Sequence, residues 1–370
     1  MKKKSLALVK GISLFFGIFF IGLTTAQAAP IKWKVATVWT PAITLIKTDQ
    51  YFVETANELC KGELEMKLFP AGEIVSSFEV FSAVQSGTVQ AGCDWPGYWS
   101  GKDSAFNAIG ALPVGLDQRP FITWIYKGGG EEITDEVFAK YGLKYLYTAV
   151  IPIESGVRGK KAFKTLADFR GSKIRMSGMF QGEILKALGA AQVMIAGQEI
   201  YQALEKGVID AAEFSTPDND WSLGFQEVTK IWNVPGWHQP ASALGVMINK
   251  EAWEGLSKSL QTKLQIAAQA TMAYTVALYE ADSATATKNF LEKGTEVSQL
   301  EAGALAEIQK IAYQLIEKEA EKNPLFAKVV YSQFSTMLSL SPWTKIQGTY
   351  SLSEKFPSME LLKREAEKAK

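Results

Sequence analysis

Histidine is nearly absent: His238 is the only one in 370 residues, and there are only two cysteines, Cys60 and Cys93. A lone histidine cannot build a histidine-rich metal cluster, and no GxSxG elbow offers a serine nucleophile. Gly128-Gly-Gly130 is not followed by the spacing of a phosphate or dinucleotide loop. Without a nucleophile and its base, or paired ligands at a site, the chain reads as a binding protein and not as an enzyme. Charge of one sign is lacking too. The 39 basic residues balance 39 acidic ones, which removes the electrostatic footprint of a nucleic-acid binder. Long apolar runs are confined to the start. Ile12–Leu23 follows Lys2-Lys3-Lys4 and precedes Ala26-Gln27-Ala28, the three parts of a secretory signal cleaved after Ala28. The run is shorter than the roughly 20 residues that span a bilayer. Export of a soluble chain is the expectation, with residues 1–28 removed.

The two cysteines of an exported protein invite a disulfide. Cys60 ends the first helix, at the amino edge of the strands, and Cys93 lies at the carboxyl end of a strand. A bridge needs Cα atoms within about 7 Å, so two free, mostly buried thiols are expected. His238, between Trp237 and Gln239, is expected to be exposed or cleft-lining, without a metal role.

What is present is a pattern repeated twice. Between Gly171 and Pro217 three short apolar strands (Lys173–Met176, Gln192–Ile195, Val208–Ala212) alternate with two helical stretches (Phe180–Leu188, Gln198–Lys206), each closed by a glycine. Glu79–Trp95 (EVFSAVQSGTVQAGCDW) and Glu199–Ser215 (EIYQALEKGVIDAAEFS) align without gaps, with Glu, Ala, Gly and Ala coinciding at 79/199, 83/203, 87/207 and 91/211. Leu68–Gly72 also matches Val193–Gly197. The fold class is therefore α/β, with two lobes built on one βαβαβ plan. Ligands of such sheets bind beyond the carboxyl ends of the strands, which puts Cys93–Trp95 and Glu213–Ser215 on opposite walls of one cleft. Lobe one is expected over 29–152 with a returning segment at about 242–285, and lobe two over 153–241. Leu256–Lys293 reads as one helix of roughly 55 Å at 1.5 Å per residue, long enough to brace both lobes. It opens a helical region over 256–345 that includes Ala302–Lys322. The charged tail, 346–370, reads as solvated surface.

Candidate site residues follow from that plan. Asp94–Gly101 carries Trp95, Tyr98 and Trp99 at the cleft edge, either to cover a ligand or to pin the loop to the core. Arg175 interrupts an apolar strand near its carboxyl end, where a charge must be paired. It is either a structural ion pair or a bidentate clamp for an anion. Glu213 is a cleft-wall acid or a plain partner for a lysine.

The turn PAG with FEVFSAVQSGTVQAG, then LADFRGSKIRMSG, EIYQALEKGVIDAAEF, PGW and INKEAWEGLS together resemble the extracytoplasmic solute receptors of tripartite ATP-independent periplasmic (TRAP) transporters. These are the DctP-like family, and the similarity is greatest to its 2-oxo acid-binding branch, over about residues 32–345. The resemblance implies a two-lobed periplasmic binding-protein fold with a hinge and a long bracing helix, closing on a small organic anion. It also implies delivery to the membrane permease and a periplasmic location. It permits a homodimer through exchanged C-terminal helices. Arg175 corresponds to the arginine that holds the ligand carboxylate, and Trp95, Tyr98 and Trp39 are the candidates to cover it. In the 2-oxo acid branch a cation bridges ligand and protein through a Gln, a Glu with the next carbonyl, and a second Glu. Here these positions read as Arg158, Glu213 with Phe214, and Gln239. Since Arg158 and a metal would repel at close range, the expectation is that Arg158 replaces the metal and pairs with Glu213, with no cofactor. If a cation is present, Glu213, the Phe214 carbonyl and Gln239 would hold it. The anion is expected to be a 2-oxo or 2-hydroxy monocarboxylate, a dicarboxylate or a short sulfonate. The alternatives are a sensor presenting an organic acid to a membrane kinase, or the binding protein of an ABC importer.

Overall fold

The computed structural model describes residues 29–347 and 357–369. The secretory signal expected at 1–28 lies outside the described residues, as do positions 348–356 of the tail. Eleven strands are described: β1 Ile31–Thr37, β2 Leu64–Phe69, β3 Ala91–Asp94, β4 Leu143–Ile151, β5 Val157–Gly159, β6 Lys173–Arg175, β7 Ala191–Val193, β8 Ala211–Ala212, β9 Ile231–Val234, β10 Ser242–Asn249 and β11 Glu296–Gln299.

They form two sheets, in the orders β2-β1-β3-β10-β4 and β11-β9-β5-β8-β6-β7. In each, three parallel strands (β2-β1-β3 and β7-β6-β8) meet an antiparallel strand, β10 on β3 and β5 on β8. The two sheets thus share one plan, and the repeat in the sequence is its cause. Ser77–Glu79 and Gly197–Glu199 are single 3₁₀ turns leading into the helices Val80–Gln85 and Ile200–Glu205. Glu79 accepts from the Ser76 N–H and Glu199 from the Ala196 N–H, so the aligned glutamates close the same first turn. Gly87 and Gly207 end the helices at φ +76° and +69°, the left-handed region that glycine enters freely. Gly92 is required for a different reason. A Cβ there would stand 2.6 Å from Val80, so the helix can lie flat on β3 only without one.

β10 joins the first sheet between β9 and β11 of the second, so the chain crosses between lobes at 152–156, at 235–241 and again along the helix Lys258–Glu292. The helix Lys258–Glu292 runs along both. Its earlier turns meet lobe one, where Tyr274 stacks on Tyr51 at 4.0 Å and the Tyr279 and Thr48 hydroxyls pair at 2.6 Å. Its second half meets lobe two, where Phe290 packs edge-on against Trp221. The bracing role expected of it is what these contacts describe. Cys60 and Cys93 are free and buried. Leu64, bonded to the Cys60 carbonyl, pairs with Ile31, whereas Cys93 pairs with Thr37, so the thiols flank opposite ends of β1.

The tail departs from expectation. Met359–Glu367 is a helix that buries Leu362, Glu365 and Ala366 against the helices Ala302–Ala320 and Pro324–Gln347, and Ser358 donates its N–H to Glu317. Glu365 is buried and paired with Arg364 and Lys368, and the apolar positions 362 and 366, one turn apart, supply a seam that composition alone concealed.

Lobe one hides two acids. Asp49 accepts from Thr37 Oγ1 at 2.6 Å, and Asp94 accepts from the Tyr145 hydroxyl at 3.2 Å and from the Trp99 indole N–H. Burial pushes Asp49 up to about 7 and Asp94 up to about 8. Unfolded, both titrate near 4. The folded chain therefore binds these protons more tightly, and the stability they contribute is lost as pH rises from about 4 through about 8. The urea midpoint is expected to be lower at about pH 8.5 than at about pH 5.5, and Asp94→Asn should narrow the difference. Equal midpoints at both values would contradict the assignment.

Candidate functional site

β6 is an inner strand of the second sheet, and its carboxyl end carries Arg175 fully buried. Its Nε donates to the Ile195 carbonyl (3.2 Å), and Nη1 donates to both the Glu213 carbonyl (2.9 Å) and Glu213 Oε1 (2.8 Å). Three directed bonds fix the plane of the guanidinium, and Nη2 is left buried with no partner. Glu213, one residue past β8, takes a second donor on Oε1 from the Ser177 N–H. Burial would raise its carboxyl, but Arg175, His238 and Ser177 outweigh burial and hold it below the ordinary glutamate value. The ion pair expected of Arg175 and its position at the cleft are therefore found together.

The crossing segments supply the next pair. His238 Nε2 stands 3.0 Å from Glu154 Oε2 and 3.5 Å from Glu213 Oε2. With the ring N–H directed at Glu154, Glu213 Oε2 accepts no hydrogen bond. The three residues are buried and their ligating atoms lie within 4.8 Å of one another. Burial works against a charged imidazole, yet the two carboxylates outweigh it and push His238 up to about 9. Burial raises Glu154 to about 8 against the pull of His238. His238 is thus neither exposed nor a bystander: PGW turns the chain inward, and the Glu154 N–H bonded to the Gln239 carbonyl (3.1 Å) locks the two crossings side by side. Sequence reasoning passed over Glu154. Its one signal was an acid in the otherwise uncharged crossing Ile151-Pro-Ile-Glu-Ser-Gly156.

The opposite wall is aromatic. Trp39 meets Tyr98 at 5.9 Å and Phe214 edge-on at 6.2 Å, and Trp95 meets Tyr98 edge-on at 5.1 Å. Burial raises the Tyr98 phenol to about 12 despite the Arg175 charge beside it. Trp39, Trp95, Tyr98, Phe214, Glu154 and Gln239 line one cavity of about 10 Å³ with Ser177 and Ser215. Trp99 turns away, onto Phe81. The loop 94–101 therefore does both things considered for it, two aromatics lining the cleft and one pinning the loop. Gly197 lets the lobes meet here, because a Cβ would stand 2.5 Å from the Phe214 ring and 3.1 Å from Ile43.

Arg158 is not in this cleft. Its Nε donates to Asp220 at 2.5 Å, and its guanidinium lies between the rings of Trp232 (4.0 Å) and Phe290 (3.7 Å). The expected pairing with Glu213 is replaced by this one. The reason is register: Arg158 pairs directly with Trp232 across antiparallel β5 and β9, so the two side chains share the sheet face that the long helix covers. Burial lowers the guanidinium from its ordinary value, and burial likewise raises Asp220 to about 6, each opposed by the other's charge.

The cation set implied by the resemblance was Glu213, the Phe214 carbonyl and Gln239. Glu213 Oε1 is occupied by Arg175 and Ser177, and Gln239 Oε1 accepts from Ser242 Oγ at 2.6 Å. The space beside Glu213 Oε2 faces a ring N–H. Hard cations collect six to eight oxygens, and the three expected groups offer few free ones, whereas Glu154, Glu213 and His238 place one ligand atom each within 4.8 Å of one another.

A family model described as "Bacterial extracellular solute-binding protein, family 7" (DctP) matches residues 35–323. The monocarboxylate 2-oxoacid-binding periplasmic protein of Nostoc sp. is 28% identical over 317 residues, covering 85% of this chain and 86% of its own. A TRAP transporter solute-binding protein from Bordetella bronchiseptica, with copurified calcium and picolinate bound in one site and the other apo, superposes with a TM-score of 0.83 at 27% identity, covering 92% of this chain and 98% of its own. One from Colwellia psychrerythraea, with calcium and pyruvate, gives 0.82 at 26%, covering 86% and 98%. These neighbours share the two-lobed architecture, and they are transport proteins, not enzymes. The chain belongs to the DctP family of extracellular solute-binding proteins, the receptors of TRAP transport.

Proposed function

We propose that this receptor captures a small organic anion, with a 2-oxo monocarboxylate of pyruvate size as the preferred class, and hands it to a TRAP membrane permease after export to the periplasm. The observation that carries the reading is the buried, unpartnered Nη2 of Arg175. Buried polar atoms in native proteins find partners, and Nη2, held in place by the bonds the rest of the guanidinium makes, offers its two N–H donors to the oxygens of an anion. Other unpartnered atoms gather nearby, Trp39 Nε1, Ser215 Oγ and His238 Nδ1 among them. With Arg175 charged and both His238 and Glu154 inclined to hold their protons, the cluster favours an anion. Trp95, Tyr98, Trp39 and Phe214 exclude water around it, and Gln239 lies at the rim.

A thermal-shift screen of the mature chain against pyruvate, malonate, picolinate and ethanesulfonate tests this. Ligand at about 100 times its Kd stabilises by about 2.7 kcal/mol, a rise of a few degrees in Tm for a chain of this size. Pyruvate is expected to give the largest shift. No shift with any of these acids would overturn the reading.

A further inference from the structure

The two lobes hold each other through a pair of asparagines. Asn219, in the helix Pro217–Ser222 of lobe two, accepts on Oδ1 from the Leu45 N–H (2.9 Å) and the Thr44 hydroxyl (2.7 Å) of lobe one. Leu45 heads the helix Ile46–Leu59, which has no side-chain cap of its own. Asn107, in the helix Ala105–Gly110 of lobe one, reaches the other way. Its Oδ1 accepts from the Met179 N–H (2.6 Å) at the head of the helix Met179–Ala187 in lobe two, where the N-cap residue is Gly178, with no side chain to offer. The two capped helices are counterparts. β1 and β6 are the middle strands of the parallel triplets β2-β1-β3 and β7-β6-β8, and these helices are the ones that follow them. The asparagines are counterparts too, since each lies beyond the third strand of its triplet, β3 or β8. Both are fully buried. Each is anchored within its own lobe by its amide nitrogen, Asn107 Nδ2 on the Ala111 carbonyl (2.7 Å) and Asn219 Nδ2 on Thr216 Oγ1 (2.9 Å), which leaves the oxygen for the opposite lobe. The first N–H groups of a helix have no intrahelical partner, and an asparagine oxygen is among the best groups to satisfy one. Here that oxygen comes from across the cleft, so the bond exists only while the lobes are together.

We propose that Asn107 and Asn219 are a reciprocal pair of cross-lobe helix caps, positioning residues that hold the cleft closed on its anion and set how long the anion stays. The inference rests on the anion-capture reading above. Opening of the lobes about their hinge uncaps both helices at once and returns both asparagines to water, so the caps stabilise the closed state and not the open one. Both caps are tied to the ligand walls. Met179 stands four residues past Arg175, and Asp220, beside Asn219, accepts from the N–H of the cleft residue Ser215 at 3.5 Å. A ligand that draws the two walls together engages both caps, and the caps shift the population toward the closed, loaded state.

The experiment compares the mature wild-type chain with Asn107→Ala, Asn219→Ala and the double variant. It reads pyruvate affinity by titration calorimetry, pyruvate release by stopped-flow tryptophan fluorescence, and the urea midpoint of the ligand-free protein. In Asn219→Ala the Thr44 hydroxyl keeps its other acceptor, Asp218 Oδ2 at 2.8 Å, so the variant isolates the cap on Leu45. Each single variant is expected to bind pyruvate about fivefold more weakly, the worth of one cap expressed as a binding constant. The double variant should bind about 25-fold more weakly, because the caps share no partner, and the loss should lie in faster release. The ligand-free midpoint should stay at the wild-type value. Asparagines with a merely structural role would give the reverse, a lower midpoint with unchanged affinity and release, and that result overturns the inference while leaving anion capture intact. Hydrogen exchange on the wild type decides independently of whether any variant folds. Pyruvate should slow exchange of the Leu45 and Met179 amides by at least about tenfold. Equal protection with and without pyruvate overturns the inference. Wild-type protein that binds none of the acids named above overturns the capture reading and this inference with it.

Discussion

Arg175→Lys is expected to lower affinity for pyruvate by about 100-fold while the lobes remain folded. The guanidinium makes three bonds inward, to the Ile195 carbonyl and to the carbonyl and Oε1 of Glu213, and leaves Nη2 for the ligand. An ammonium is a point charge with no fixed plane. It can stay with Glu213 or reach the anion, and it does not hold both in the geometry of a fork. A hydrogen bond to a charged group contributes about 1.5–3 kcal/mol, so losing the charge-assisted bonds of Nη2 costs up to about two powers of ten in affinity. Lysine keeps a positive charge opposite Glu213, so the buried pair is weakened but not broken. Arg175→Ala confuses the question, because an unpaired buried Glu213 would itself cost about 3–5 kcal/mol of stability. Titration calorimetry with pyruvate reads the effect directly. Affinity within about threefold of wild type would remove Arg175 from the clamp.

The same residue shows how far the sequence could be read. A charge inside the apolar strand Lys173–Arg175 has few physical solutions, and the repeat between 79–95 and 199–215 places the end of that strand at a cleft. Both statements need only local spacing, which is why Arg175, Glu213, Trp95 and Tyr98 were legible. The antiparallel fourth strands were not. β5 and β10 enter their sheets from the opposite lobe, and no local pattern announces a partner 50 or more residues away. Arg158 was misplaced for that reason. On a three-residue strand the side of the sheet depends on register, and one residue of slip exchanges cleft for core. Glu154 was passed over and His238 was read as exposed or cleft-lining, because it is the fold that sets them 3.0 Å apart across 84 positions. The tail helix was lost to composition, since two apolar residues among charges look like surface until a seam receives them.

Arg158→Met separates these two arginines by experiment, and the expected outcome is the reverse of that for Arg175. The side chain is sandwiched by Trp232 and Phe290, on the face that joins lobe two to the bracing helix. Methionine keeps most of the packing volume between the rings but leaves Asp220 buried without its cation. Breaking a buried pair in this way costs about 3–5 kcal/mol, so the urea midpoint should drop severely at neutral pH and above. The loss is also expected to depend on pH. Burial already raises Asp220 to about 6 with Arg158 in place, and removing the guanidinium raises it further. A carboxyl whose folded value lies above its unfolded one contributes stability at low pH that is lost as pH rises through the folded value. The variant should therefore be closest to wild type near pH 5 and furthest from it near pH 8. Pyruvate affinity, measured where the variant is folded, should stay within about threefold of wild type. A variant of normal stability that no longer binds would return Arg158 to the cleft; an unstable variant that binds normally keeps Arg158 a residue of the fold and leaves the anion to Arg175.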